Sequence, residues 1–207
     1  MSDASPRSRQ GRAYQQDEVA GLLRDALTAL MADGTPFRDL SVARLASTAG
    51  LARSTFYVAY DDKAAMLQEL SARSLSRLYG GARAWIRHGG DATREDIAAG
   101  MRQILDAFLQ DEAVMRAVAE ASVYEPAVRT AYVDGVNAFA GALERMIRRG
   151  VKAGRMRAVA PRPTAEVLAW MTERTISRVR PDASSAELDA LAVALADVVW
   201  QTLFAGT

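Results

Sequence analysis

Residues 41–67 read SVARLASTAGLARSTFYVAYDDKAAML, and this stretch decides how the rest of the chain is understood. Ser41 is a good helix N-cap, because its hydroxyl can accept a hydrogen bond from a free backbone N–H in the first turn. Val42, Leu45, Ala46 and Ala49 follow at helical spacing, and Gly50 then breaks the pattern. A second short segment resumes at once over Ala52 to Tyr60. Two short helices meeting at a glycine, with small and apolar residues inside, meet the needs of a helix-turn-helix: small side chains permit close crossing and glycine permits the sharp turn. Ala46, Gly50, Leu51 and Phe56 are expected to form its miniature core. The second helix of such a motif enters the major groove with its N-terminal residues toward the base edges. That places Arg53, Ser54, Thr55 and Tyr57 for bases or phosphates, Ser41 for the backbone, and Lys63 for a phosphate.

Helical periodicity extends outward in both directions. Val19, Leu22, Leu23, Ala26, Leu27, Leu30 and Met31 fall on one helix face, closed by Asp33-Gly34 and Pro36. Downstream, Asp61-Asp62 open a long helix predicted to run through Ile86 to Gly89-Gly90. Further helices are predicted over Thr93 to Gln110, Asp111 to Tyr124, Pro126 to Arg149, Thr164 to Val179 and Ser184 to Phe204, with Pro161 and Pro163 in a loop. The expectation is an all-α protein of about nine helices. It divides into a flexible basic arm (1–13, with Arg7, Arg9 and Arg12), a helix-turn-helix domain (14–62) and a helical ligand-binding and dimerisation domain (63–207).

Composition narrows the chemistry. The chain has 207 residues and no cysteine, which excludes disulfides, thiolate metal sites and cysteine nucleophiles, and its single histidine, His88, leaves little imidazole chemistry. No phosphate loop, metal-ligand cluster or cofactor fingerprint is present, so neither metal nor cofactor is expected. The polar first residues do not read as a signal peptide, and the apolar C-terminal segment is interrupted at Asp197, so a soluble cytoplasmic protein without a membrane partner is expected. Net charge is only +1. Any basic face must therefore come from arrangement.

The block around Gly50 resembles the TetR/AcrR family of transcriptional regulators. The residues that carry the resemblance are Ala49-Gly50-Leu51, Thr55-Phe56-Tyr57, Tyr60, Lys63 and Leu67. Family members often have a serine where this chain has Ala52, and polar residues where it has Val58 and Ala59. This narrows the polar base-reading candidates to Arg53, Ser54, Thr55 and Tyr57. The resemblance implies an N-terminal DNA-binding domain and a divergent C-terminal domain that binds a ligand and dimerises.

Ser54-Thr55-Phe56-Tyr57 and Met171-Thr172-Glu173-Arg174-Thr175 look like runs found in the mycobacterial ethionamide-regulator subgroup. Carried over from that subgroup, the wall of an apolar effector tunnel comprises Ile97, Met101, Ile104, Phe108, Tyr132, Val136, Phe139, Thr172, Glu173 and Trp200. The last two helices, with Val167, Met171, Ile176, Leu188, Leu191, Leu195, Val198, Val199 and Leu203, have apolar surface enough to pair with their copies in a homodimer. The function expected is a repressor that binds a pseudo-palindromic double-stranded operator as a dimer and is released by an apolar small molecule. Two alternatives stand beside it: a ligand-independent DNA-binding regulator, and a helical small-molecule binding protein or enzyme using Glu173, Asp106 and Glu120 as carboxylates.

Overall fold

The structure, a computed structural model, describes the backbone of residues 6–204 and side chains from residue 16. Among the described residues there are ten α-helices and no strand: α1 (Pro6–Met31), α2 (Val42–Thr48), α3 (Arg53–Ala59), α4 (Lys63–Leu78), α5 (Arg83–His88), α6 (Arg94–Gln110), α7 (Glu112–Ala121), α8 (Pro126–Lys152), α9 (Pro161–Ile176) and α10 (Ser185–Leu203). The fold class is the one expected. Residues 1–5 of the expected arm lie outside the described residues, and from Pro6 onward the backbone is helical.

Two elements differ from the sequence reading. The long helix expected through Ile86 is broken into α4 and α5 by a 3-10 turn at Tyr79–Ala82. The cause is a close approach: a Cβ on Gly81 would sit 2.9 Å from the Gly100 carbonyl oxygen and 2.8 Å from the Cβ of Gln103, so only glycine lets this turn lie against α6. Pro161 and Pro163, expected in a loop, instead occupy the first turn of α9. A proline there forfeits no hydrogen bond, because the first N–H groups of a helix have no partner within it.

The chain forms two compact units. One takes in the chain up to Ser71 together with Ala113–Ala131, the other Ala72–Glu112 together with the chain from Tyr132 onward.

In the first unit, α1 packs on α2 and α3 around Leu23, Leu27, Leu45 and Phe56, all fully buried. The segment joining α1 to α2 is gripped from both sides. Glu120 of α7 accepts the backbone N–H of Phe37 (2.8 Å) and of Arg38 (2.9 Å). One turn earlier on α7, Arg116 donates to the Met31 carbonyl at 2.7 Å.

In the second unit, α6 begins with a capping box in which Thr93 and Asp96 exchange hydrogen bonds, and α10 with the same device from Ser184 and Glu187. α10 packs along α6, with Arg94 paired to Asp197 and Arg102 to Asp189. Arg77 forks onto Asp111, which is buried, through Nε (2.9 Å) and a terminal nitrogen (2.5 Å). Among the described residues, no helix is long and apolar enough to cross a membrane.

Candidate nucleic-acid interface and an internal polar cluster

The turn between α2 and α3 is set by main-chain bonding. Leu51 N–H reaches the Ala46 carbonyl (2.9 Å) and Gly50 N–H the Ser47 carbonyl (3.1 Å), the paired bonds of a Schellman motif. That motif needs a left-handed residue between helix and exit, and Gly50 supplies it with φ +67°. Gly50 is exposed, so it acts through its backbone and not as a core residue, while Ala46 and Phe56 are buried as expected. Ser41 caps α2 by accepting from Arg44 N–H at 3.1 Å.

From this turn α3 leaves with one side packed and one side outward. Phe56 is fully buried and meets Tyr57 edge to face at 5.5 Å and Tyr60 at 5.7 Å between ring centroids. Thr55 is half-buried. Arg53, Ser54, Tyr57 and Val58 are exposed, and their spacing puts them in two adjacent rows on the outer face, Arg53 with Tyr57 and Ser54 with Val58. The Arg53 guanidinium donates to the Tyr57 hydroxyl at 3.4 Å and lies 5.5 Å from that ring's centroid. The contact draws the long arginine along the helix face and restricts its wandering.

The surrounding charges sharpen the picture. Arg24, Arg38 and Arg44 each lie beside a carboxylate, Asp25, Asp39 and Asp33. Among the described residues Arg53 meets none. The outward side of α3 thus carries a cation with no carboxylate beside it among the described residues.

Lys63, at the start of α4, lies against the segment that joins α1 to α2. Its ammonium donates to the carbonyls of Phe37 (3.1 Å), Arg38 (2.8 Å) and Leu40 (3.0 Å) and lies 4.9 Å from the Phe37 ring centroid. An ammonium has three N–H donors, and three carbonyls hold them. Desolvation on this packed face pulls its pKa below the usual lysine value, against the neighbouring carboxylates, Glu120 first, which raise it. This geometry gives Lys63 a structural role. With Glu120, it holds the segment between α1 and α2 by both its N–H and its C=O groups.

The residues expected to line an effector tunnel fall in the second unit and divide into three groups. Ile97, Met101, Ile104 and Phe108 occupy one side of α6 and are buried, as are Val136, Phe139 and Thr172. Trp200 is half-buried and stacks on Phe204, with ring centroids 4.6 Å apart. Tyr132 and Glu173 meet directly, the phenol donating to the carboxylate at 2.5 Å.

Near that pair stands Tyr79, which the sequence reading did not single out. Its ring stacks on Phe139 with centroids 4.1 Å apart and an interplanar angle of 5°. Its hydroxyl is buried and has no hydrogen-bond partner among the described residues. Burial, reinforced by the Glu173 carboxylate, pushes both phenols above the usual tyrosine range. Both are therefore neutral hydroxyls, Tyr132 with its proton committed and Tyr79 with its proton unengaged. The available sequence signal was an aromatic immediately before the Gly80-Gly81 break.

The carboxylates considered for catalysis are each in other use: Glu120 on backbone N–H groups, Asp106 beside Arg102 (3.0 Å), and Glu173 on Tyr132.

By sequence, no family model and no curated protein matches the chain. Its structure is similar to that of the TetR-family transcriptional regulator PfmR from Thermus thermophilus, with 21% identity, 87% of this chain and 97% of that chain covered, and a TM-score of 0.65. It is also similar to the fatty acid degradation regulator FadR from Bacillus halodurans, with 15% identity, 96% of each chain covered and a TM-score of 0.70. A third similar structure is the transcriptional regulator FadR from Bacillus subtilis in complex with stearoyl-CoA, with 16% identity, 86% and 96% covered and a TM-score of 0.68. The chain thus has the all-α fold of TetR-family regulators, over nearly the whole length of each.

Proposed function

We propose that this protein is a TetR-family transcriptional regulator that binds a pseudo-palindromic operator as a homodimer. The observation that carries the reading is the outward face of α3, where an uncompensated Arg53 lies beside Ser54, Tyr57 and Val58 on a helix anchored from behind by Phe56. An arginine so placed can donate two parallel hydrogen bonds to a guanine edge. Ser41 at the start of α2 is exposed for a phosphate contact, and Thr55 is half-buried beside the reading face. The shared fold with regulators supports the same assignment.

Dimerisation is assigned to α9 and α10, though mostly through other residues than those named from the sequence. Ile176, Leu188, Leu195, Val199 and Leu203 are buried in their own protomer. On α10 the exposed apolar positions are Ala186, Ala190, Val193, Ala194 and Val198, a stripe of small residues at helical spacing, and on α9 the corresponding exposed residue is Val167. Small side chains let two helices and their copies approach closely in a four-helix interface.

The effector is assigned to the second unit, to an apolar molecule that also offers a hydrogen-bond acceptor to the free Tyr79 hydroxyl. The likeness to a regulator solved with stearoyl-CoA makes acyl compounds the first to try. Effector binding lowers DNA affinity by its differential affinity for the two states, and the protein acts as a repressor in the cytoplasm. The likeness in sequence to the ethionamide-regulator subgroup rests on residues 171–175 and on Ser54 to Tyr57.

The test is selection of duplexes from a random DNA pool by the full chain, followed by titration of the enriched duplex with and without stearoyl-CoA. A pseudo-palindromic enriched site released by the acyl compound supports the reading. An enriched site unaffected by an acyl series would leave a ligand-independent regulator.

A further inference from the structure

Among the described residues Val58 is the most exposed of the large apolar ones, at 88%, and it stands toward the C-terminal end of the outward face of α3. It adds nothing to the core of its own unit, and as a β-branched residue it does not help a seven-residue helix to form. Single exposed apolar residues on a surface are ordinary, so exposure alone carries no inference. Its neighbours do. Ser54 lies one turn before it and Tyr57 beside it, itself 45% exposed, while Arg53 is drawn toward the Tyr57 hydroxyl. The outer face of α3 is thus split into a polar end at Arg53 and Ser54 and an apolar end at Tyr57 and Val58.

We infer that Val58 is a specificity-determining residue that reads the C5-methyl group of a thymine in each operator half-site. The major-groove edge of a base pair offers hydrogen-bonding atoms on every base but an apolar group only on thymine. A branched hydrocarbon with no donor or acceptor cannot satisfy the edge of guanine, adenine or cytosine, and it strips water from those edges without replacing it. Against a thymine methyl it loses nothing and removes two apolar surfaces from water. The operator therefore carries a thymine at a fixed offset from the base pair read by Arg53, at the same place in both half-sites.

The inference rests on the DNA-binding reading of α3, and its test separates the two. The full chain selects duplexes from a random pool, and each thymine of the enriched site is then replaced in turn by uracil. That change deletes the methyl group and leaves every hydrogen-bonding atom in place. One thymine per half-site is expected to respond, with binding falling about fourfold for each lost methyl contact, the size of one buried methyl group. In the Val58→Ala variant, whose urea denaturation is expected to match the wild type because the side chain is solvent-exposed, the same uracil is expected to bind as well as thymine. Sensitivity to the methyl group at no position, or equal sensitivity in Val58→Ala, overturns the assignment to Val58 and leaves DNA binding intact. If no duplex is enriched, the DNA-binding reading falls, and the assignment with it.

Discussion

The outer face of α3 and the Tyr79–Tyr132–Glu173 cluster are both places where side chains are not fully used by the fold, but in opposite senses. On α3 the unused groups face water, where an arginine and a serine cost nothing unpaired. In the cluster the unused group is the buried Tyr79 hydroxyl, which does carry a cost. A solvated, rigidly backed face suits a large polar partner that covers it. A single unpaired donor beside stacked rings suits a small molecule that is mostly apolar and brings one acceptor. The two regions should therefore respond differently to substitution: loss of binding without loss of stability in the first, and retained or improved stability with loss of response in the second.

The largest expected effect concerns the backing of the face. Phe56→Ala removes a fully buried ring and is expected to cost about 3–5 kcal/mol of stability, seen as a large drop in urea midpoint together with loss of DNA binding. Arg53→Ala should part stability from function. Binding to the selected duplex is expected to weaken by about 1–3 kcal/mol per half-site, read by fluorescence anisotropy, with an unchanged melting temperature. A fall in melting temperature of several degrees would show that Arg53 serves the fold.

Lys63→Met breaks the comparison from the other side. Three carbonyls lose their donor, so a stability loss of about 1–3 kcal/mol is expected in urea titrations. The slope of log affinity against log salt should stay as in the wild type. A lysine on a phosphate would instead lower that slope by about 1 on removal.

The smallest effect is the most discriminating for the second region. Tyr79→Phe removes a buried hydroxyl that makes no bond, so stability is expected to stay level or rise by up to about 1 kcal/mol. Release of the duplex by an effector should weaken in the same variant. Tyr132→Phe should behave oppositely and destabilise, because it takes the donor from Glu173.

The contrast between the regions also governs what could be read from the sequence. The helix-turn-helix was legible because its determinants are local: Ser41 caps its own helix, Gly50 donates to the Ser47 carbonyl three residues away, and the rows of α3 follow from helical spacing. The grip on the preceding segment was not legible, since Lys63 and Glu120 reach it from remote points in the chain, and an isolated lysine or glutamate carries no mark of that use. The same holds for the break at Gly80-Gly81, which is forced by the close passage of α6. Periodicity placed apolar residues on α9 and α10 but could not say which face a protomer keeps for itself; Leu195 is buried, whereas Val198 is left outside. Of the internal cluster, Tyr132 and Glu173 were named through family resemblance, and Tyr79 emerged only when the fold stacked it on Phe139.

The central claim, that the outer face of α3 binds duplex DNA through Arg53, is tested most directly by one titration. The full chain and its Arg53→Ala variant are each titrated at fixed salt against the enriched duplex and a scrambled duplex of equal length. The wild type is expected to prefer the enriched duplex by a factor of about 10³ or more, and the variant to lose most of that preference. Equal affinity of the wild type for both duplexes, or an unchanged preference in Arg53→Ala, would contradict it.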